Sequence, residues 1–232
     1  MKTPDFTSCR GIVFDLDGTL IDSYAAIGES LDCALTGLGF APMPPEMVRS
    51  MVGRGLESLI ERALTRAGAP DPAGLTAEGV RRFRVRYDAI CVARTTLLPG
   101  VAETLPELRR RGYALAVATN KPSYFARRIL DALAMGGHLQ AVLGPDLVAH
   151  PKPEPEMIHR ALAIMGLTPS RAVYVGDMEI DVETARASGL PVIVMPTGSC
   201  GMEQLQASGA DAVVASFAAL LDVLPGIDGG RA

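Results

Sequence analysis

The chain has 232 residues, 48% of them hydrophobic and 21% charged, with a formal net charge of −4 at pH 7. A chain of this size can bury a sizeable core, as one large domain or two unequal ones. The acidic balance argues against nucleic acid, which calls for a basic face, and favours small substrates. No apolar run reaches the ~20 residues of a membrane span, and the polar start "MKTPDFTSCR" lacks a signal-peptide core. The expected location is the cytoplasm, with no membrane partner. Cys9, Cys33, Cys91 and Cys200 are scattered, and only three histidines accompany them. Free thiols are expected, not a zinc site or a disulfide framework.

In chain order, "GIVFD" (11–15) reads as a first strand that ends in Asp15, with Asp17 two residues on. Residues 22–95 then offer helix signals only, in "SYAAIGESLDCALTGLGF", "LESLIERALTRAG" and "TAEGVRRFRVRYDAICVAR", with the Pro-rich "APMPPE" between the first two. After "ARTTLLPG" the pattern changes. Short apolar runs at "YALAVAT" (113–119), "AVLG" (141–144), "RAVYVG" (171–176), "PVIVM" (191–195) and "DAVV" (211–214) read as strands. Between them, or just ahead of the first, amphipathic stretches at 101–112, 123–137, 155–166 and 181–189 mostly close on Gly, as helices commonly do. This alternation predicts an α/β fold: a mostly parallel sheet in a core made of residues 1–21 and 96–232, interrupted by a helical insert at 22–95. A Gly-rich tail, "GIDGGRA", closes the chain.

Open parallel sheets bind ligands beyond the carboxyl ends of their strands. Asp15 and Asp17, "TNK" (Thr119, Asn120, Lys121) and "GDMEID" (Asp177, Asp181) all fall at such ends. Carboxylates gathered on one rim repel one another unless a cation sits among them. Oxygen ligands select a hard ion, and Mg²⁺ suits because it keeps waters that a substrate phosphate can displace. The chain has neither a G-x-S-x-G elbow nor a G-x-x-x-x-G-K-[ST] loop, so serine-hydrolase and ATP-binding chemistry lose support. Asp15 remains as nucleophile: its carboxylate is ionised at pH 7 and needs no activating base. Extended geometry puts Asp17 on the same side, able to serve as general acid and then as general base.

"DLDGTLIDS", "VATNKP", "HPKPEP" and "VGDMEIDVETARASG", in that order, resemble the four motifs of the haloacid dehalogenase superfamily, in its phosphoglycolate-phosphatase-like branch. The resemblance spans nearly the whole chain. It implies a Rossmann-like core, a helical cap inserted after the first strand, an aspartyl-phosphate intermediate and Mg²⁺ dependence. Position by position it implies Asp15 as nucleophile, Asp17 as acid/base, Thr119 as a phosphate-binding hydroxyl and Lys152 as the cation that holds nucleophile and phosphoryl group together. Asp177 would bind Mg²⁺ with Asp15 and the main-chain carbonyl of Asp17. Asp181 would orient that site from behind, and Asn120 would add a bond to the phosphate. Where such proteins often carry Ser or Thr after the fourth-motif aspartate, this chain has Met178 and Glu179.

"GRG" at 53–55 precedes a helix of the insert, where an arginine and free N–H groups can grip an anion. Arg54 is the candidate for a substrate carboxylate. The leading expectation is a Mg²⁺-dependent phosphatase acting on a small phosphorylated metabolite, 2-phosphoglycolate first, as a monomer or homodimer. A phosphosugar mutase similar to β-phosphoglucomutase, or a pyrophosphatase of the same superfamily, would keep every core residue. A dehalogenase needs neither metal nor leaving-group acid, which Asp17 and Asp177 would supply. A phospho-accepting signalling module is disfavoured by the insert and by Asp17.

Overall fold

The computed structural model describes residues 5–227. Most of the Gly-rich tail, and the first four residues of the polar start, lie outside that range. The chain opens with β1 (Gly11–Phe14) and β2 (Ile21–Asp22), followed by α1 (Tyr24–Gly37), α2 (Pro45–Arg49), α3 (Leu56–Arg66) and α4 (Pro72–Ile90). It continues through β3 (Thr96–Leu97), α5 (Val101–Arg110), β4 (Ala114–Ala118), α6 (Ser123–Ala132), β5 (Ala141–Leu143) and α7 (Glu156–Met165). The last elements are β6 (Ala172–Gly176), α8 (Glu179–Ser188), β7 (Val192–Val194), α9 (Met202–Ala207), β8 (Ala212–Val213) and α10 (Leu220–Val223). Residues Asp22–Thr96 form one compact unit, and the segments on either side of it form another. β2 pairs with β3 where the chain leaves the second unit and returns to it.

The larger unit is built on a six-stranded sheet in the order β5-β4-β1-β6-β7-β8, with every pairing parallel. The predicted α/β class is therefore observed. All four residues of β1 are buried, as are all five of β6. A strand covered on both faces reads as a continuous apolar run instead of an alternation, which is why "GIVF" and "AVYVG" take this form. On one face Met157, Ile158, Ala161 and Leu162 of α7 and Val182 and Ala185 of α8 pack on Val13, Ala116, Tyr174 and Val192. β4 and β6 flank β1 in register, with Phe14 opposite both Val117 and Val175. The chain thus departs to opposite sides of β1, and the ends of β1, β4 and β6 open onto one switch point, the usual place for a ligand in such sheets.

In the unit Asp22–Thr96, α4 packs against α1 and α3. Two boundaries there differ from the sequence expectation, both because of proline. The Pro-rich stretch was expected to connect helices, but Pro45 is the first residue of α2. α4 begins at Pro72 and not near Thr76, because Asp71 caps it and accepts a hydrogen bond from Gly74 N at 3.0 Å. Proline suits a first helical position, where its missing N–H would have had no partner. In the larger unit, α6 stops at Ala132 short of the expected 137, and a left-handed Ala134 follows (φ 59°).

The cap at Asp71 yields a local prediction. Asp71→Ala should weaken α4 by about 0.5–2 kcal/mol, seen as faster amide hydrogen exchange in the first turn of α4 with turnover retained. Unchanged exchange there would show that the cap contributes nothing.

Candidate active site

Asp15 follows β1, and its main chain is fixed to the neighbouring strand by a bond from Asp15 N to Val175 O at 2.9 Å. The turn that follows closes through Gly18 N donating to Ile21 O and Leu20 N donating to Leu16 O. Gly18 sits at φ +86°, a conformation side chains resist, and a Cβ there would meet Asp177 Oδ2 at 2.5 Å. Asp177 follows β6 and is fully buried. Its Oδ1 accepts from Thr19 Oγ1 at 2.7 Å.

Lys152 comes from the loop before α7 and is also buried. Its Nζ lies 2.9 Å from Asp15 Oδ1 and 2.8 Å from Asp181 Oδ1, and it donates to Tyr174 OH at 3.1 Å. Tyr174 OH in turn donates to Ala118 O at 2.9 Å. The ammonium's three donors therefore have three neighbours. Its main chain is braced as well: Asn120 Nδ2 donates to Lys152 O at 3.2 Å and Asn120 Oδ1 accepts from Lys152 N at 3.1 Å. Asn120, expected at the phosphate, gives one Nδ2–H and its Oδ1 to this brace. From the first residue of α7, Glu156 Oε2 accepts from the main-chain N of Ala149 and of His150, at 3.0 Å each.

Asp181 braces the start of α8 from its third position. Its Oδ2 accepts from the N–H groups of both Asp177 and Met178 at 3.0 Å. A carboxylate at the third position of α8 thus satisfies two N–H groups at the start of the helix. Thr119 is buried at the end of β4, where its Oγ1 accepts from Lys121 N at 3.3 Å. Asp17 pairs with Lys121 through Oδ2 at 3.0 Å. Arg54 belongs to the other unit, exposed in the turn ahead of α3.

Asp15, Asp177 and Asp181 bring carboxylate oxygens within 4.8 Å of one another, which at an effective dielectric near 20 costs roughly 3–4 kcal/mol per ionised pair. Lys152 balances one of the three charges. Burial pushes Asp15 up to about 6 against the opposing pull of Lys152. Burial, then Asp181 and Asp15, hold Asp177 well above the usual carboxylate range. Burial works against charge on Lys152, but Asp15 and Asp181 outweigh it and keep the ammonium well above its ordinary value. Neither Asp15 Oδ1 nor Asp177 Oδ2 accepts a hydrogen bond among the described residues. The ammonium near Asp15 Oδ1 supplies charge without the alignment of a hydrogen bond. Two buried, unsatisfied carboxylate oxygens beside excess negative charge fit a hard divalent cation. Asp181, whose oxygens are taken up by Lys152, Asp177 N and Met178 N, fits a supporting place.

Tyr174, Thr19 and Gly198 were not singled out in the sequence, and Lys121 was named there only as a strand-end residue. A Cβ at Gly198 would lie 1.5 Å from Asp177 Oδ2, so the backbone closes directly over that oxygen. Thr197, beside it, donates to Gly18 O at 2.5 Å and ties the two close approaches together.

Comparison with known proteins identifies the family. Residues 12–195 match the family model described as haloacid dehalogenase-like hydrolase. The phosphoglycolate phosphatase of Caulobacter vibrioides is 38% identical over 206 residues, covering 89% of this chain and 86% of that protein. The phosphoglycolate phosphatase of Pectobacterium atrosepticum is 34% identical over 221 residues, covering 95% and 93%. A crystal structure of a predicted phosphoglycolate phosphatase from Haemophilus somnus superposes with a TM-score of 0.88 at 28% identity, covering 94% of this chain and 99% of that one. The chain belongs to the haloacid dehalogenase-like hydrolases. Within them it falls in the phosphoglycolate-phosphatase-like branch, and it is a phosphoric monoester hydrolase.

The charge arrangement fixes the sign of a pH effect. Asp15 must be ionised to hold a cation, so divalent-cation affinity should fall as pH drops through about 6, and binding near that pH should release on the order of one proton. Calorimetry in two buffers of different ionisation enthalpy measures this; proton-neutral, pH-independent binding would contradict it. Gly198→Ala, which crowds Asp177 Oδ2, should weaken the same binding at least about tenfold, the scale set by disturbing groups around metal ligands.

Proposed function

We propose that the protein is a Mg²⁺-dependent phosphatase that hydrolyses a small phosphorylated metabolite, 2-phosphoglycolate first, through a phosphoryl group carried on Asp15. The observation that carries this reading is Asp15 itself. It is a buried strand-end carboxylate with an oxygen that accepts no hydrogen bond, flanked by the Lys152 ammonium at 2.9 Å and by Asp177. Phosphoglycolate stands first because the relatives at 38% and 34% identity carry that name.

A carboxylate oxygen of Asp15 forms a bond to phosphorus as the bond to the leaving oxygen breaks, and Asp17 gives its proton to that oxygen. Ionised Asp17 then takes a proton from water while the water oxygen bonds to phosphorus. The Asp15–phosphorus bond breaks, releasing inorganic phosphate and restoring both carboxyl groups. Lys152 supports the approach of nucleophile and phosphoryl group by placing positive charge beside Asp15, and Thr119 offers its hydroxyl to a phosphate oxygen. Asp15, Asp177 and the main-chain carbonyl of Asp17 would hold Mg²⁺, which supplies charge against the repulsion between carboxylate and phosphate. The helical unit, read as the cap with bounds 22–95, supplies Arg54 for the substrate carboxylate.

Asp17→Asn should keep the fold and lose about two to four decades of kcat. Exhaustive chelation should abolish turnover and added Mg²⁺ restore it. Near-normal hydrolysis by the variant, or by the chelated enzyme, would overturn the respective part. A panel of phosphoglycolate, pyrophosphate, hexose phosphates and β-glucose 1-phosphate should show phosphoglycolate preferred and no isomerised sugar phosphate. Arg54→Ala should raise KM for phosphoglycolate by about tenfold and leave KM for p-nitrophenyl phosphate, which has no carboxylate, within error.

A further inference from the structure

Lys121 lies outside the roles so far assigned, yet its placement is demanding. Its side chain is 5% exposed, and its Nζ lies 3.0 Å from Asp17 Oδ2. Lysine is almost never buried without a paired charge. Confining its stem to one rotamer costs about 1.5–2 kcal/mol, and burying an ion pair does not on its own offset such costs. Stability alone is therefore a poor explanation for the pair.

The geometry offers a better one. Lys121 rises from a rigid base, since its N–H bonds to Thr119 Oγ1 and the preceding Asn120 is bonded on both sides to the Lys152 main chain. The main chain of Asp17 is equally fixed, by the turn through Gly18 N and Ile21 O and by a bridge to Ile21. What these bonds leave undetermined is the rotation of the Asp17 carboxyl group. An ammonium from a fixed strand end faces one of its two oxygens.

We propose that Lys121 is a positioning residue for Asp17: it holds Oδ2, so that the proton exchanged first with the leaving oxygen and then with the attacking water is carried on Oδ1. This rests on the reading of Asp17 as acid/base. Lys121 keeps all its protons throughout. A proton does not settle on the oxygen that faces an ammonium, so the pairing also selects which oxygen works.

A group that positions a general acid matters in proportion to how much the leaving oxygen needs its proton. Phenyl phosphate and p-nitrophenyl phosphate have similar shape and no carboxylate, but the phenyl leaving oxygen is the more basic. The ratio of their kcat/KM values, p-nitrophenyl over phenyl, should rise about tenfold in Lys121→Met, the size expected when a catalytic group is misaligned. It should rise further in Asp17→Asn, and Lys121→Arg should bring it back toward wild type. Lys121→Gln, which keeps a donor but loses the charge, replaces the Met variant if that one does not fold. An unchanged ratio in the Lys121 variants, with the rise present in Asp17→Asn, would overturn the positioning role alone and mark Lys121 as a phosphate contact or a structural residue. An unchanged ratio in Asp17→Asn would overturn the acid/base reading and this inference together.

Discussion

One buried ammonium meets three buried carboxylates at the ends of the central strands, and the rest of the site follows from that imbalance. Lys152 touches Asp15 and Asp181, and no salt bridge to Asp177 is formed among the described residues. With oxygens packed within 4.8 Å, the rim keeps protons or takes up external positive charge. Asp181 is tied into the fold by the start of α8, so the imbalance falls on Asp15 and Asp177, the two with unsatisfied oxygens. The negative field that costs stability is thus concentrated on two carboxylates that could hold a metal ion.

The sheet makes this focusing possible. β1 lies between β4 and β6 in register, so the residues that follow the three strands arrive side by side. Thr119 and Asn120 leave β4, Asp15 leaves β1 and Asp177 leaves β6. Lys152 arrives from a long loop after β5, and Asn120 fixes that loop by bonding its main chain on both sides. Tyr174, inside β6, completes the support with a hydroxyl that bridges Ala118 O and the ammonium. A strand residue and two loops thus hold one charge in place beside Asp15.

What the sequence disclosed, and what it hid, divides along physical lines. The parallel strands were legible because burial on both faces compresses each into a short apolar run, as in "GIVF" and "AVYVG". Asp15, Thr119, Lys152 and Asp177 were legible because each falls at a strand or loop end within an ordered motif. The helix that starts at Pro45 was not expected, and the one that starts at Pro72 was read from Thr76, although the fixed φ of proline suits a first turn. Tyr174 was hidden inside an apolar run: nothing local distinguishes a core tyrosine from one whose hydroxyl meets a buried ammonium. Thr19 and Gly198 were hidden because their contacts with Asp177 link segments distant along the chain. Lys121 was visible in "TNK", but its partner Asp17 is more than a hundred residues away, and only the folded chain pairs them.

The charge imbalance at Asp15 is tested most directly by crystallography of the protein with Mg²⁺ and beryllium fluoride, a mimic of a transferred phosphoryl group. Density for a fluoroberyllate bonded to Asp15, with a metal ion touching both Asp15 and Asp177, is the expected result. An adduct on any other side chain, or an ion bound away from these two carboxylates, would contradict it.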